Sequence, residues 1–157
     1  MTRLVIDHPI AADWARELFG RELFDFKRDY TSIAVVRDGG IIACGFFNEY
    51  RGHTIDIHFA ALIPGTLRRD ALCAAFGYPF LQLGVARLGT NVPEKNEACL
   101  RFVLHLGFRI EGRRRKAMAD GSDLLVLGMM REECRYLPPK WPVIVETTNE
   151  LQRSQAA

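Results

Sequence analysis

No two cysteines of this sequence stand close enough to form a metal knuckle or a redox pair. Cys44, Cys73, Cys99 and Cys134 are each more than twenty residues apart, which excludes CxxC-type zinc ligation and suggests no disulfide framework. Reduced thiols in a cytoplasm are the simplest reading. Long apolar runs are also missing: the N-terminal MTRLVIDHPIAADWARELFG carries Asp7, Asp13 and Glu17, so it reads as neither a signal peptide nor a membrane anchor. Nor does one sign of charge dominate. A formal +2 over 157 residues gives no general reason to expect a nucleic-acid or membrane partner. Internal repeats and low-complexity segments are absent.

What is present is an ordinary globular composition, 48% hydrophobic and 25% charged, in a chain long enough for one core and short for two. We expect a single domain over residues 1–137. After Pro138-Pro139 and Pro142, residues 138–157 form an extension expected to be partly disordered, its last residues rich in Gln, Ser and Ala.

In chain order, Leu4-Val5-Ile6 reads as a short strand, and Pro9 to Phe19 sets Ile10, Trp14, Leu18 and Phe19 at helical spacing before Gly20. The apolar runs Ile33–Val36 and Ile41–Phe47 flank Asp38-Gly39-Gly40, a hairpin signal whose turn needs positive φ, and these two strands are expected to be central. His53 to Leu62 alternates. It puts Ile55, Ile57, Phe59 and Ala61 on one face and Asp56, His58 and Ala60 on the other, with Glu49 at the end of the preceding strand. Pro64-Gly65 breaks this strand, and a helix is predicted from Thr66 or Leu67 through Phe76. Val85 to Thr90 reads as the next strand, weakened by Gly89 unless backbone or ligand comes close there. Arg131 to Leu137 reads as a short helix.

The densest pattern is NVPEKNEACLRFVLHLGFRIEGRRRKAMADGSDLLVLGMM, Asn91 to Met130. A strand ends at Asn91 or Val92, Asn96 suits the N-cap of a helix that stops before Gly107, and Phe108 to Gly112 opens an extended run. Asp120-Gly121 supplies a turn before the apolar strand Leu124 to Met129. In this order the stretch resembles the GCN5-related N-acetyltransferases, which move an acetyl group from acetyl-CoA to an amine. Asn96 to Gly112 is most similar to the ribosomal-protein and amino-group branch. The resemblance spans Ile33 to Arg131 and implies a mixed α/β fold: a twisted, largely antiparallel sheet with helices on both faces.

Site residues follow from the two readings together. Ile63-Pro64-Gly65-Thr66-Leu67-Arg68-Arg69 joins a strand to a helix, so free backbone N–H groups, the helix dipole and two arginines meet at one spot suited to a pyrophosphate. The family places its phosphate loop here, although only Gly65 of its glycine pattern is kept. The resemblance further implies that the strand of Phe59, Ala61 and Ile63 splays from its neighbour and pairs with pantetheine, and that Asn96 reaches the pantetheine arm. Helix capping is the alternative role for Asn96. Many members carry a Tyr acid seven positions after that Asn, where this chain has Val103; the branch with a Ser three positions after it has Cys99 here. That thiol reads either as a weak donor to the coenzyme sulfur or as a small buried helix residue.

For the amine, His58, Asp56 and Glu49 are candidate bases, each also open to a structural role. His58 has the better intrinsic pKa, and Asp56 needs a raised one. His53 and His105 read as surface groups. The run Arg113 to Lys116 reads as a solvated strand, with RNA or an acidic acceptor surface as alternatives. The implied co-substrate is acetyl-CoA without a metal, and the implied partner is an amine acceptor, expected to be a protein N-terminus or lysine. A homodimer is left open, and nucleic acid is not favoured. The rival readings are an acyl-CoA-binding module without turnover and an acetyltransferase for a small-molecule or RNA-linked amine.

Overall fold

The computed structural model describes residues 2–26, 29–62 and 67–141. Its described strands form one sheet in the order β1-β2-β3-β4-β5-β7-β6: β1 Thr2–Ile6, β2 Thr31–Arg37, β3 Gly40–Asn48, β4 Thr54–Ala61, β5 Arg87–Pro93, β6 Arg109–Arg114 and β7 Leu124–Met130. All neighbouring pairs are antiparallel except β4 with β5. The expected hairpin forms at Asp38 and Gly39, both at positive φ. Its strands are not the centre, however: β4 is, because β5 to β7 add three strands on its far side.

The alternation of β4 sorts the helices onto two faces. Ile55 and Ile57 join a core with α3, Arg69–Gly77, whose Ala71, Leu72 and Phe76 are buried, and with Val103 and Leu106 of α4, Glu97–Leu106. Ala60 faces the other way, into a core of Ala11, Ala12 and Ala15 from α1, Ala11–Phe19, together with Phe24 at the end of α2, Arg21–Phe24. Each apolar stripe thus finds one side of the sheet, as a layered fold requires.

Three local expectations are corrected. The strand expected from Val85 starts later: a π-helical turn, Tyr78–Gln82, continues α3, and β5 begins only at Arg87, after Val85 has turned into the core. The basic run is not one alternating strand, since β6 ends at Arg114 and Lys116 takes φ 53°. Arg113 is bound by Glu94 at 2.6 Å and Asp123 at 2.9 Å, so its charge is matched locally. After β7 the helix is a single 3-10 turn, Arg131–Glu133. Tyr136 then stacks on Phe76, and Trp141 lies against Gly77; residues 142–157 lie outside the described residues.

Candidate active site

The parallel ladder between β4 and β5 has only three rungs, Thr54↔Arg87, Ile55↔Leu88 and Asp56↔Gly89. Beyond them β4 runs on to Ala61 and β5 to Pro93 without pairing, so the sheet opens in a V with Asp56 and Gly89 at its apex. One contact spans the first open rung: Thr90 Oγ1 donates to the Ile57 carbonyl at 2.7 Å. On its other side β4 stays paired with β3, and Leu62 N–H donates to Ile42 O in the same register. That bond sets the phase. Even-numbered residues of β4 exchange hydrogen bonds with β3, and the peptide groups of Phe59 and Ala61 therefore point into the V. Strand-edge backbone facing an opening inside a sheet is suited to an extended amide ligand.

On the α3/α4 face, Phe59 packs edge-on to Phe102 of α4 at 5.6 Å. Asn96 caps α4, its side-chain oxygen accepting from Cys99 N–H at 3.2 Å, and the residue is exposed. The capping role is therefore present, and its exposure leaves room for a second partner. Cys99 is half-buried and burial pushes its thiol up, so it holds its proton at neutral pH. Val103, where many members of the resembled family carry a Tyr, is fully buried. Of the expected phosphate loop, Ile63, Gly65 and Thr66 lie outside the described residues; Leu67 is half-buried, and Arg68 and Arg69 are exposed immediately before and at the start of α3.

The α1/α2 face carries the polar groups. A cavity of about 500 Å³ has an apolar wall from Leu23 and Phe26, charged groups from Asp25, Glu49 and Arg51, and the Asn48 and His58 side chains. Glu49 takes φ 55° and lies 3.7 Å from Arg51. His58 Nε2 is 2.9 Å from Asn48 Oδ1 and its ring stands 5.4 Å from that of Phe26. Burial drives its pKa down to about 4, so the ring is neutral at pH 7. Asp56 moves the opposite way: burial, then the Glu49 carboxylate, raise it, against lowering by Arg87, Arg114 and Arg51. The structure thus shifts Asp56 towards neutral pH, as a base role for it would need, and His58 away from it.

The site also holds groups that the linear reading did not pick out. Asn48 is the β3 partner of Asp56, a placement that needs the register. Arg87 makes two hydrogen bonds of 2.9 Å to Glu111, across β7 and 24 residues along the chain. The only sequence signals were an Arg two places before a strand glycine and the Glu-Gly of the extended run. No three His, Cys, Asp or Glu side chains cluster as metal ligands among the described residues, and no helix there is long and apolar enough to cross a membrane.

No family model and no curated protein sequence matches the chain. Solved structures do. A dodecameric spermidine N-acetyltransferase from Vibrio cholerae in an intermediate state has a TM-score of 0.66 and 12% identity, covering 83% of this chain and 94% of its own. The spermidine/spermine N-acetyltransferase SpeG of the same organism, in complex with manganese ions, has a TM-score of 0.65 and 13% identity, with coverages of 82% and 92%. Mutant forms of that enzyme give 0.67 and 12%, with coverages of 84% and 96%. The chain therefore has the acetyltransferase fold expected from Asn91 to Met130. These proteins are named for spermidine, and they give no support to the ribosomal-protein branch.

Proposed function

We propose that this chain transfers an acetyl group from acetyl-CoA to a primary amine. The observation that carries the reading is the V between β4 and β5, with the Phe59 and Ala61 peptide groups turned into it and a polar cavity on the opposite face at His58. Acetyl-CoA, when bound, supplies the activated acetyl as a thioester. Phe59, Ala61 and Ile63 would pair with the pantetheine amides, Asn96 and Cys99 would border its thiol end, and Gly65, Thr66, Leu67, Arg68 and Arg69 would hold the pyrophosphate at the start of α3. A backbone N–H in the V polarises the thioester carbonyl.

On the α1/α2 side, Asp56 at the apex takes a proton from the incoming ammonium, while His58, neutral and held by Asn48, accepts a hydrogen bond from it. Glu49 and Asp25 favour a cation in the cavity. The amine nitrogen forms the new C–N bond and releases its second proton to solvent, the C–S bond breaks, and the thiolate is protonated from solvent or from the Cys99 thiol, which regains its proton from solvent. Positioning contributes most of the rate, so Cys99→Ala should cost no more than about tenfold, below the usual effect of an obligate acid. The acceptor is an amine that reaches this cavity end-on: a small cationic amine, as the spermidine enzymes suggest, or a protein N-terminus or lysine.

The test is transfer of labelled acetyl into spermidine, a peptide with a free N-terminus and a lysine peptide, alongside calorimetric binding of acetyl-CoA. Wild type should label one class. Asp56→Asn should lower turnover by about a hundredfold or more with acetyl-CoA affinity kept. Tight binding without label in any amine would favour the binding module, and no binding would sink both readings.

A further inference from the structure

Three features that are separate in sequence converge on one side chain of the α1/α2 face. The first is a break in the β6–β7 ladder between Ile110 and Gly112, which leaves Glu111 as the extra residue of a bulge; bulges re-aim the side chain they carry. The second is a pair of glycines directly opposite each other, Gly89 of β5 and Gly128 of β7. A Cβ at Gly128 would collide with Glu111 Oε1 and come within 2.9 Å of Arg87 Nη2; a Cβ at Gly89 would collide with Asp56 Oδ1 and lie 3.8 Å from the same Nη2. The two bare positions let three charged side chains lie flat on the sheet. The third is the fork itself, Arg87 Nη1 and Nη2 each 2.9 Å from a Glu111 oxygen, the bidentate geometry that fixes a guanidinium in direction as well as place.

We infer that Arg87, locked by Glu111 across Gly128, is a positioning residue for Asp56: it is the fixed cation against which the Asp56 carboxylate is held over Gly89 at the apex of the V. The inference rests on the proposed transfer reaction for its consequence, and on geometry alone for its substance. A side-chain ion pair of this kind on an open strand face ordinarily contributes little to stability, yet here a bulge and two glycines serve it. The charged groups that act on Asp56 are Glu49 and Arg51 from the β3–β4 connection, Arg87 from β5 and Arg114 from β6; its strand neighbour His58 is uncharged at neutral pH. Arg87 alone among the three cations is a described partner in a bidentate pair. Its fixed charge favours the ionised carboxylate, the form that can accept the ammonium proton, and offsets the burial and the Glu49 charge that disfavour it.

The two ends of the clamp predict opposite shifts. Arg87→Met removes the cation and should move the Asp56 titration up by about one pH unit, the lower end of what a nearby opposite charge does. Glu111→Gln keeps one hydrogen bond to Arg87 and removes the anion that offsets it, so the titration should move down. Both are read on the full chain by carbon NMR of the Asp56 carboxyl, which needs no turnover. The acid limb of the acetyl-transfer pH profile should follow the same directions. An Asp56 titration that stays in place in Arg87→Met overturns the inference, since a merely structural clamp would lower stability without moving it. If Arg87→Met does not fold, Glu111→Gln decides, a downward shift supporting the inference and an unmoved midpoint overturning it. Absence of acetyl transfer with both shifts present would sink the enzyme reading and leave the clamp standing.

Discussion

Thr90 Oγ1 donates to the Ile57 carbonyl at 2.7 Å, one rung beyond the last pair of the β4–β5 ladder. A side-chain hydroxyl there takes over from a backbone N–H, and it does so in the buried part of the sheet, where Thr90 is 3% exposed. The ladder can stop without leaving the Ile57 carbonyl unpaired. Thr90→Val keeps the shape and removes the donor, at a cost of about 1 to 3 kcal/mol for an unsatisfied buried carbonyl. For a chain of this size that corresponds to a fall in melting temperature of about 3 to 10 °C. Calorimetry checks it, with Thr90→Ser close to wild type; an unchanged melting temperature would mean that the carbonyl finds another partner.

Gly89→Ala separates the apex from the fold. Gly89 does not occupy a left-handed conformation, and the atom an alanine methyl would strike is the end of the Asp56 side chain. The carboxylate should swing away while the strand persists, with stability changed by less than about 1 kcal/mol. Acetyl transfer should fall by about as much as in Asp56→Asn, with acetyl-CoA affinity kept. Full activity in Gly89→Ala would remove Asp56 from the proposed chemistry.

Much of this arrangement was legible in the sequence, and the rest was hidden for a physical reason. The β2–β3 hairpin showed in Asp38-Gly39 between apolar runs. The cap of α4 showed in Asn96, and the two faces of β4 in its alternation, because each depends on neighbours along the chain. The bulge at Glu111, the partnership of Asn48 with Asp56 and the fork from Arg87 depend on register across strands. A one-residue slip exchanges the two faces of a strand, and no local pattern fixes the registers of β5 and β6 on β7. The π-helical turn is similar: the bond from Val85 N–H to Pro79 O depends on how α3 meets β5. The opposite shifts of Asp56 and His58 were hidden for the same reason, since burial and the Glu49 charge act through space.

His58 predicts a pH dependence of stability. Its folded pKa of about 4 lies below the unfolded value of about 6.5. Between these values the unfolded chain carries the proton and the folded one does not, so stability is full above pH 6.5 and falls as the pH drops towards 4. The loss is at most about 3 kcal/mol for a shift of this size. Asp56, raised in the fold, acts in the opposite sense, and so the informative quantity is the difference between wild type and His58→Gln. Urea midpoints at pH 4.5 and 7 should converge for the variant and separate for wild type. Equal pH slopes in the two proteins would place His58 in a more solvated setting than its contact with Phe26 and Asn48 implies.

The contact between Gly77 and Trp141 predicts a substitution whose sign depends on its partner. Gly77 closes α3 in helical geometry, where alanine is intrinsically better by up to about 1 kcal/mol. A methyl there, however, would overlap the Trp141 ring and stand 3.3 Å from Pro138 Cγ, so the segment that brings Tyr136 onto Phe76 would have to shift. Gly77→Ala should therefore destabilise the wild type by about 1 to 3 kcal/mol, the usual cost of overpacking. In a Trp141→Ala background the overlap is gone, and the same change should be neutral or stabilising by a few tenths of a kcal/mol, as helix propensity dictates. A double-mutant cycle by urea unfolding reads the coupling directly, and about 1 kcal/mol or more is expected for residues in contact. Additive effects would mean that residues 138–141 do not hold to α3 in solution, and that the β-sheet and α3 are stable without them.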